Sequence, residues 1–183
     1  VGGAISYAIM VIFFVLANKM TTSGNAILIQ YTAPVYVAIF GFSFLGERST
    51  KMDWITILLM LVGLGLFFFE ELSFTTFWGN IAALIAGFGF SATILFMRKQ
   101  KQGRPIDTVL LGNILTFLIS IPFIMNEVTF EVKPWLGIAY LGIIQLGLSY
   151  IIFSIAIKYV SALDAIIYPI IEPVFNPILA FLF

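Results

Sequence analysis

The stretch Ser161-Ala162-Leu163-Asp164-Ala165-Ile166-Ile167-Tyr168-Pro169-Ile170-Ile171-Glu172-Pro173-Val174-Phe175-Asn176-Pro177 decides how this chain is read. It opens an apolar run over 162–183, and a helix needs about 20 such residues to cross a bilayer core. On a helix, residues four apart share a face, so Asp164, Tyr168, Glu172 and Asn176 form one drifting polar stripe. Pro169, Pro173 and Pro177 recur at the same spacing one position further on. Each proline deletes the hydrogen bond to the carbonyl four residues earlier. The carbonyls of Ala165, Pro169 and Pro173 are thus left without their normal donors. Such backbone is tolerated at membrane depth only where protein or cavity water supplies partners. The segment is therefore expected to line a cavity; the plainer alternative is a kinked helix packed on its neighbours.

Sliding the chain against itself by 139 positions shows that this stretch has a twin. Residues 3–44 align with 142–183 without a gap. The matches include Gly3/Gly142, Phe14/Phe153, Ala17/Ala156, Lys19/Lys158, Ala26/Ala165, Ile27/Ile166, Pro34/Pro173, Val35/Val174 and Phe44/Phe183. In the earlier copy Pro34 frees the Gln30 carbonyl, and Gln30, Tyr31 and Asn25 bring hydrogen-bonding groups toward it.

Polar punctuation divides the chain into seven apolar runs, near 3–18, 25–45, 53–69, 78–97, 106–126, 135–157 and 162–183. Thr75 or Thr76 can cap the fourth, Pro134 suits the first turn of the sixth, and Gly46 can close the second. Trp54, Trp78 and Trp135 fall at run edges, where aromatic rings anchor at headgroups. The connections are short, so consecutive helices are expected to be neighbours. The duplicated helices lie five apart, an odd number, so the two copies cross the membrane in opposite directions. That predicts an inverted repeat of five helices, ten in all. Residues 1–69 would be the last three helices of the first repeat and 70–183 the first four of the second. The chain opens within an apolar run and closes on Ala180-Phe181-Leu182-Phe183, so both ends are expected to fall inside helices.

Composition agrees. The chain is 61% hydrophobic and 10% charged, with mean hydropathy +1.10, whereas soluble domains carry roughly a quarter charged residues. The lipid bilayer must be its solvent. All nine Lys and Arg residues fall in connections or at run ends. Arg48, Lys51, Arg98, Lys99, Lys101, Arg104 and Lys158 lie in the even connections, and only Lys19 and Lys133 in the odd ones. This bias puts the even connections in the cytoplasm. The basic run 98–104 then reads as a topology signal, and no nucleic acid is implied. Cysteine and histidine are absent, which removes thiolate and imidazole chemistry and the usual metal ligands. One deep carboxylate without a paired Asp, a Ser–His pair or a metal cluster does not make an intramembrane enzyme. No cofactor or metal is expected.

Three groups of residues carry a family likeness: Ala17-Asn18-Lys19, Gln30-Tyr31-Thr32-Ala33-Pro34 and Phe44-Leu45-Gly46-Glu47-Arg48. With Ala156-Ile157-Lys158-Tyr159-Val160-Ser161-Ala162-Leu163 and Ile171-Glu172-Pro173-Val174, they resemble the two repeats of EamA-type proteins in the drug/metabolite transporter superfamily. The resemblance covers essentially the whole chain. It implies ten helices, a central substrate cavity, a bacterial inner membrane and, most often, export of amino acids or other small metabolites.

Glu172 is the leading functional candidate, because an ionised carboxylate at that depth costs several kcal/mol unless it faces a cavity or a partner, or is protonated. Protonation would suit proton coupling; a neutral acid holding the bundle together is the bland reading. Tyr168, Asn176, Gln30, Tyr31 and Gln145 join it as substrate-binding or coupling candidates, with Ser149, Tyr150, Asn113 and Thr116 as further polar groups. Pro34, Pro169, Pro173 and Pro177 are kink positions. Gly46, Glu47 and Arg48 form a cytoplasmic motif read as structural or gating. Lys19 and Lys158 read as end anchors that snorkel to the interface. Ala83, Gly87 and Ser91 form a small-residue stripe for close helix packing.

Overall fold

A computed structural model describes residues 1–72, 76–124, 132–173 and 175. The described residues are helical throughout, without strands. Five helices are long and apolar enough to cross a membrane: Gly2–Met20, Ser23–Leu45, Phe77–Lys99, Ile106–Phe123 and Pro134–Ala156. Two expected runs are not among them. The helix of the third, Lys51–Phe67, has 17 residues, and much of 162–183 lies outside the described residues.

Helix α1 (Gly2–Met20) buries Gly3, Ala4, Ser6, Ala8 and Ala17, a face of small residues joined by Tyr7 and Met10. It meets an equally small face of α5 (Phe77–Lys99), where Gly79, Ala82, Ala83, Ala86 and Gly89 are buried. This is the most extensive helix contact in the chain. A Cβ at Gly89 would stand 2.8 Å from the Met10 nitrogen, so that face admits nothing larger than glycine there. Helix α6 (Ile106–Ile124) packs on the other side of α1. The expectation that chain-consecutive helices are the neighbours is thus corrected: small residues, rather than short connections, set the closest packing. The stripe Ala83-Gly87-Ser91 is buried, as packing requires.

The second run is two helices. α2 (Ser23–Gln30) ends before Tyr31 and Thr32, and α3 (Ala33–Leu45) begins with Pro34 at its second position. A proline in the first turn costs no helical hydrogen bond, which explains why the break falls just before it. Gly46 ends α3 in the left-handed conformation, φ 76°, the usual glycine stop. Next, α4 (Lys51–Phe67) opens on a reciprocal Thr50–Asp53 capping box and buries only Ile57 and Leu64.

Thr76 stands at the N-cap of α5, but its hydroxyl makes no cap bond. It donates instead to Thr21 Oγ1 at 2.7 Å and reaches Asn80 Oδ1 at 3.4 Å, because a helix-to-helix partner lies closer. Thr75 lies outside the described residues. Pro134 does sit in the first turn of α7 (Val132–Tyr140). The sixth run then widens into a π-helix over Leu141–Leu148 before α8 (Ser149–Ala156). That stretch holds Gly142 and Gly147, five apart, and a Cβ at Gly147 would meet the Gly142 carbonyl oxygen at 3.1 Å. The widening was not expected from the sequence.

The last described segment repeats the second run. α9 (Ala162–Ile167) is followed by a 3-10 turn, Tyr168–Ile170. Thr22 Oγ accepts the Asn25 N–H at 3.3 Å to start α2, and Ser161 Oγ accepts the Asp164 N–H at 3.0 Å to start α9. Thr22 and Ser161 are 139 residues apart, as are Asn25 and Asp164. The two segments also lie side by side in opposite directions. Glu47, beyond the end of α3, meets Ala162 at the start of α9; Tyr31, before the start of α3, meets Pro169 after the end of α9.

The ends of the bundle are likewise sorted. Arg98, Gly103, Glu47, Ile157 and Lys158 gather at one end, which we call the basic end. Thr21 and Thr76 meet at the other.

Candidate functional site

Midway between these ends, the breaks of the two copies touch. Tyr31 is the C-cap of α2 and is buried. Its hydroxyl donates to the Pro169 carbonyl oxygen at 3.1 Å. That carbonyl is one of those whose helical donor Pro173 removes, so the freed acceptor finds its partner in the twin segment. The Tyr31 ring stands edge-on to Phe90 of α5, centroids 6.4 Å apart. One turn earlier on the same face of α5, the Gln30 carbonyl faces Gly87. A Cβ there would approach that oxygen to 2.9 Å, so only glycine lets α5 close over the first break.

A second pair of tyrosines stands beside this junction. Tyr7, buried in α1, and Tyr150 of α8 stack edge-on with centroids 5.4 Å apart. The Tyr7 hydroxyl donates to Asn113 Oδ1 of α6 at 3.2 Å. Glu172 is exposed and follows Pro169 by three residues.

Other candidates are placed elsewhere. Tyr168 is 64% exposed and lines an open, largely apolar groove of about 630 Å³ with Thr56, Leu59, Met60, Ile167 and Ile171. The groove includes neither Gln30 nor Glu172. Gln145 and Ser149 are exposed on the π-helix and the start of α8. Asn25 is buried and donates to Thr21 Oγ1 at 2.9 Å and Asn80 Oδ1 at 2.6 Å, which makes it part of the end away from the basic residues. Thr116 donates to Gly112 of its own helix. Asp164 is engaged in the α9 cap, accepting from Ser161 Oγ at 2.7 Å. Pro173 is buried. Asn176 and Pro177 lie outside the described residues.

At the basic end, Glu47 pairs with Arg98, Oε1 to Nε at 2.7 Å. Glu47 Oε2 also accepts the Ala162 N–H at 2.8 Å. Arg48 points away, its guanidinium 4.6 Å from the Phe42 ring centroid. Lys158 Nζ donates to the Gly103 carbonyl at 3.0 Å, and Lys19 is exposed. Sequence reasoning missed two residues, Tyr7 and Arg98. Tyr7 had a visible signal, a polar-tipped aromatic inside Gly2-Gly3-Ala4-Ile5-Ser6-Tyr7-Ala8; Arg98 was hidden in a run of basic residues read as one block.

Stacked apolar helices, paired broken segments and sorted ends define a multi-span membrane protein. The EamA-like transporter family model matches residues 1–69 and 77–183, and the chain belongs to that family. It is 26% identical to an uncharacterized transporter of Archaeoglobus fulgidus over 175 residues, 94% of this chain and 62% of the relative. It is 25% identical to the uncharacterized transporter YdfC of Bacillus subtilis over 186 residues, 98% of this chain and 61% of the relative. The chain thus spans about three fifths of the length of these relatives. No solved structure matches it.

Proposed function

We propose that this chain forms part of a secondary transporter that exports small metabolites such as amino acids by alternating access around a midplane site. The observation that carries the reading is the meeting of two antiparallel broken segments at Tyr31 and Pro169, three residues before Glu172. Carriers built from inverted repeats place substrate where discontinuous helices of the two repeats face each other. A ten-helix arrangement, with 1–69 and 70–183 belonging to successive repeats, accounts for the offset of 139 shared by the caps. The excess of basic residues puts the basic end in the cytoplasm, and the cell membrane is the natural location.

In this reading Glu172 is the coupling or substrate-contacting carboxylate, with Tyr31, Gln30, Tyr168, Gln145 and Asn176 contributing as the site forms. A proton is the simplest coupling ion for a lone carboxylate at that depth. The test is transport by the complete protein in liposomes, against a panel of amino acids and related metabolites with and without a pH gradient. Glu172→Gln should cut transport or flatten its pH dependence, while Glu70→Gln, beyond the end of α4, should leave it near normal. Equal activity of the two variants would assign Glu172 to structure, and absence of movement for every solute would favour a scaffold or regulatory subunit.

A further inference from the structure

We propose that Glu47 and Arg98 form a latch that holds the basic end of the protein shut, by tying two helix termini into one ion pair. The inference rests on the alternating-access reading above and names the contacts that one of its two gates must break.

Arg98 is the last residue but one of α5, and its side chain is 12% exposed, against 27% for Glu47. Its Nε donates to Glu47, while Nη1 donates to the carbonyls of Ile157 and Lys158, both at 2.9 Å. Those carbonyls close α8, where helical donors have run out and a cation is favoured. Across the elbow, the other Glu47 oxygen takes the Ala162 N–H. That group belongs to the first turn of α9, where helical acceptors have run out and an anion is favoured. The ion pair therefore joins the ends of α3 and α5 to both sides of the elbow 157–162. Below it, Val37, Ala38, Met97, Ala162, Leu163, Ala165 and Ile166 pack as one buried cluster. Access from this end to the Tyr31–Pro169 junction requires α9 to leave α3, and the latch is the polar contact that opposes it. Partial exposure of both charges keeps water at hand to replace the lost bonds, which suits a contact that must open and close.

The contacts make a distinguishing prediction. A simple ion pair survives reversal of its charges. This one does not, because an anion at position 98 would face two carbonyl oxygens and a cation at position 47 would face an N–H.

The test is thiol labelling in the complete protein, which needs no transport. These 183 residues hold no cysteine, so Ala165→Cys, at a buried position below the latch, serves as the single reporter once any cysteine elsewhere is replaced. A membrane-impermeant maleimide is applied from the basic end. Labelling should be slow in the parent and about tenfold faster in Glu47→Gln or Arg98→Gln, the scale set by losing hydrogen bonds to a charged group. Arg98→Lys should be intermediate, since it keeps the charge and loses the fork. Glu47→Arg with Arg98→Glu should remain fast, and Lys101→Gln, at an exposed position outside the latch, should match the parent. Unchanged labelling in both single variants would overturn the latch, and so would recovery of slow labelling on charge reversal. Should the Gln variants fail to fold, Arg98→Lys carries the decision by the same criterion. Faster labelling without detectable transport would keep the latch and remove the transport reading.

Discussion

The two broken segments share a backbone plan and differ in surroundings. The first break is covered: Tyr31 is buried under Phe90, and Gly87 admits the Gln30 carbonyl. The second break is open, with Tyr168, Ile171 and Glu172 all exposed. At the segment starts, the covered copy uses an uncharged Asn25 that bonds across helices. Its counterpart Asp164 bonds within its own cap, to Ser161. The two segments share this local geometry and differ in chemistry. The covered copy serves as the anchor, and the open copy keeps the ionisable group.

Three substitutions pairs sharpen or break this contrast. The largest effect is expected at Gly87, where a side chain must push α5 off the first break. Gly87→Leu should cost about 3 kcal/mol of stability through overpacking, whereas Gly142→Leu, where a Cβ meets nothing within 4 Å, should be tolerated. Thermal unfolding of the two variants in detergent measures the difference; equal midpoints would mean the first break is not covered. Next come the segment starts. Asn25→Ala removes the amide that donates to Thr21 Oγ1 and Asn80 Oδ1 and should cost about 1.5 kcal/mol, near the upper range for polar contacts between helices in lipid. Asp164→Ala leaves the Ser161 hydroxyl to cap α9 and loses mainly a charge at a helix N-terminus, about 0.5 kcal/mol. Reversal of that order in chemical denaturation would contradict the anchor role of the first copy. The smallest effect belongs to the hydroxyl that joins the copies: Tyr31→Phe should cost about 0.6 kcal/mol, the mean for hydrogen bonds between membrane helices. Tyr168→Phe, on the open side, should fall within the scatter of repeated unfolding measurements.

Much of this was legible beforehand, for physical reasons. Apolar run length and the placement of Lys and Arg are direct consequences of lipid as solvent, so they mark spans and sorted ends without reference to tertiary contacts. The 139-residue offset predicted paired segments, and the caps at Thr22 and Ser161 fall on it. The breaks after α2 and α9 fall beside Pro34 and Pro169, because a missing N–H is a local property. What was not legible depended on partners. The π-helix over Leu141–Leu148 has no proline to announce it. Arg98 looked like any residue in its basic run until α8, α9 and Glu47 came to meet it. Tyr168 shares a helical stripe with Glu172 on paper, yet the 3-10 turn after α9 places it on the apolar groove, since a change of helix type rotates every later side chain.

The central claim is that the two broken segments lie antiparallel with their breaks adjacent, and cysteine cross-linking in the complete protein, once any cysteine outside these 183 residues is replaced, tests it most directly. Tyr31 packs with Ile170, and Arg48 and Ser161 border the same small cleft at the basic end. Cysteines introduced as 31 with 170, and as 48 with 161, should each be joined by a short bifunctional thiol reagent in membranes. Linkage of 31 with 161, or of 48 with 170, in place of these pairs would show the segments running parallel and would contradict the account.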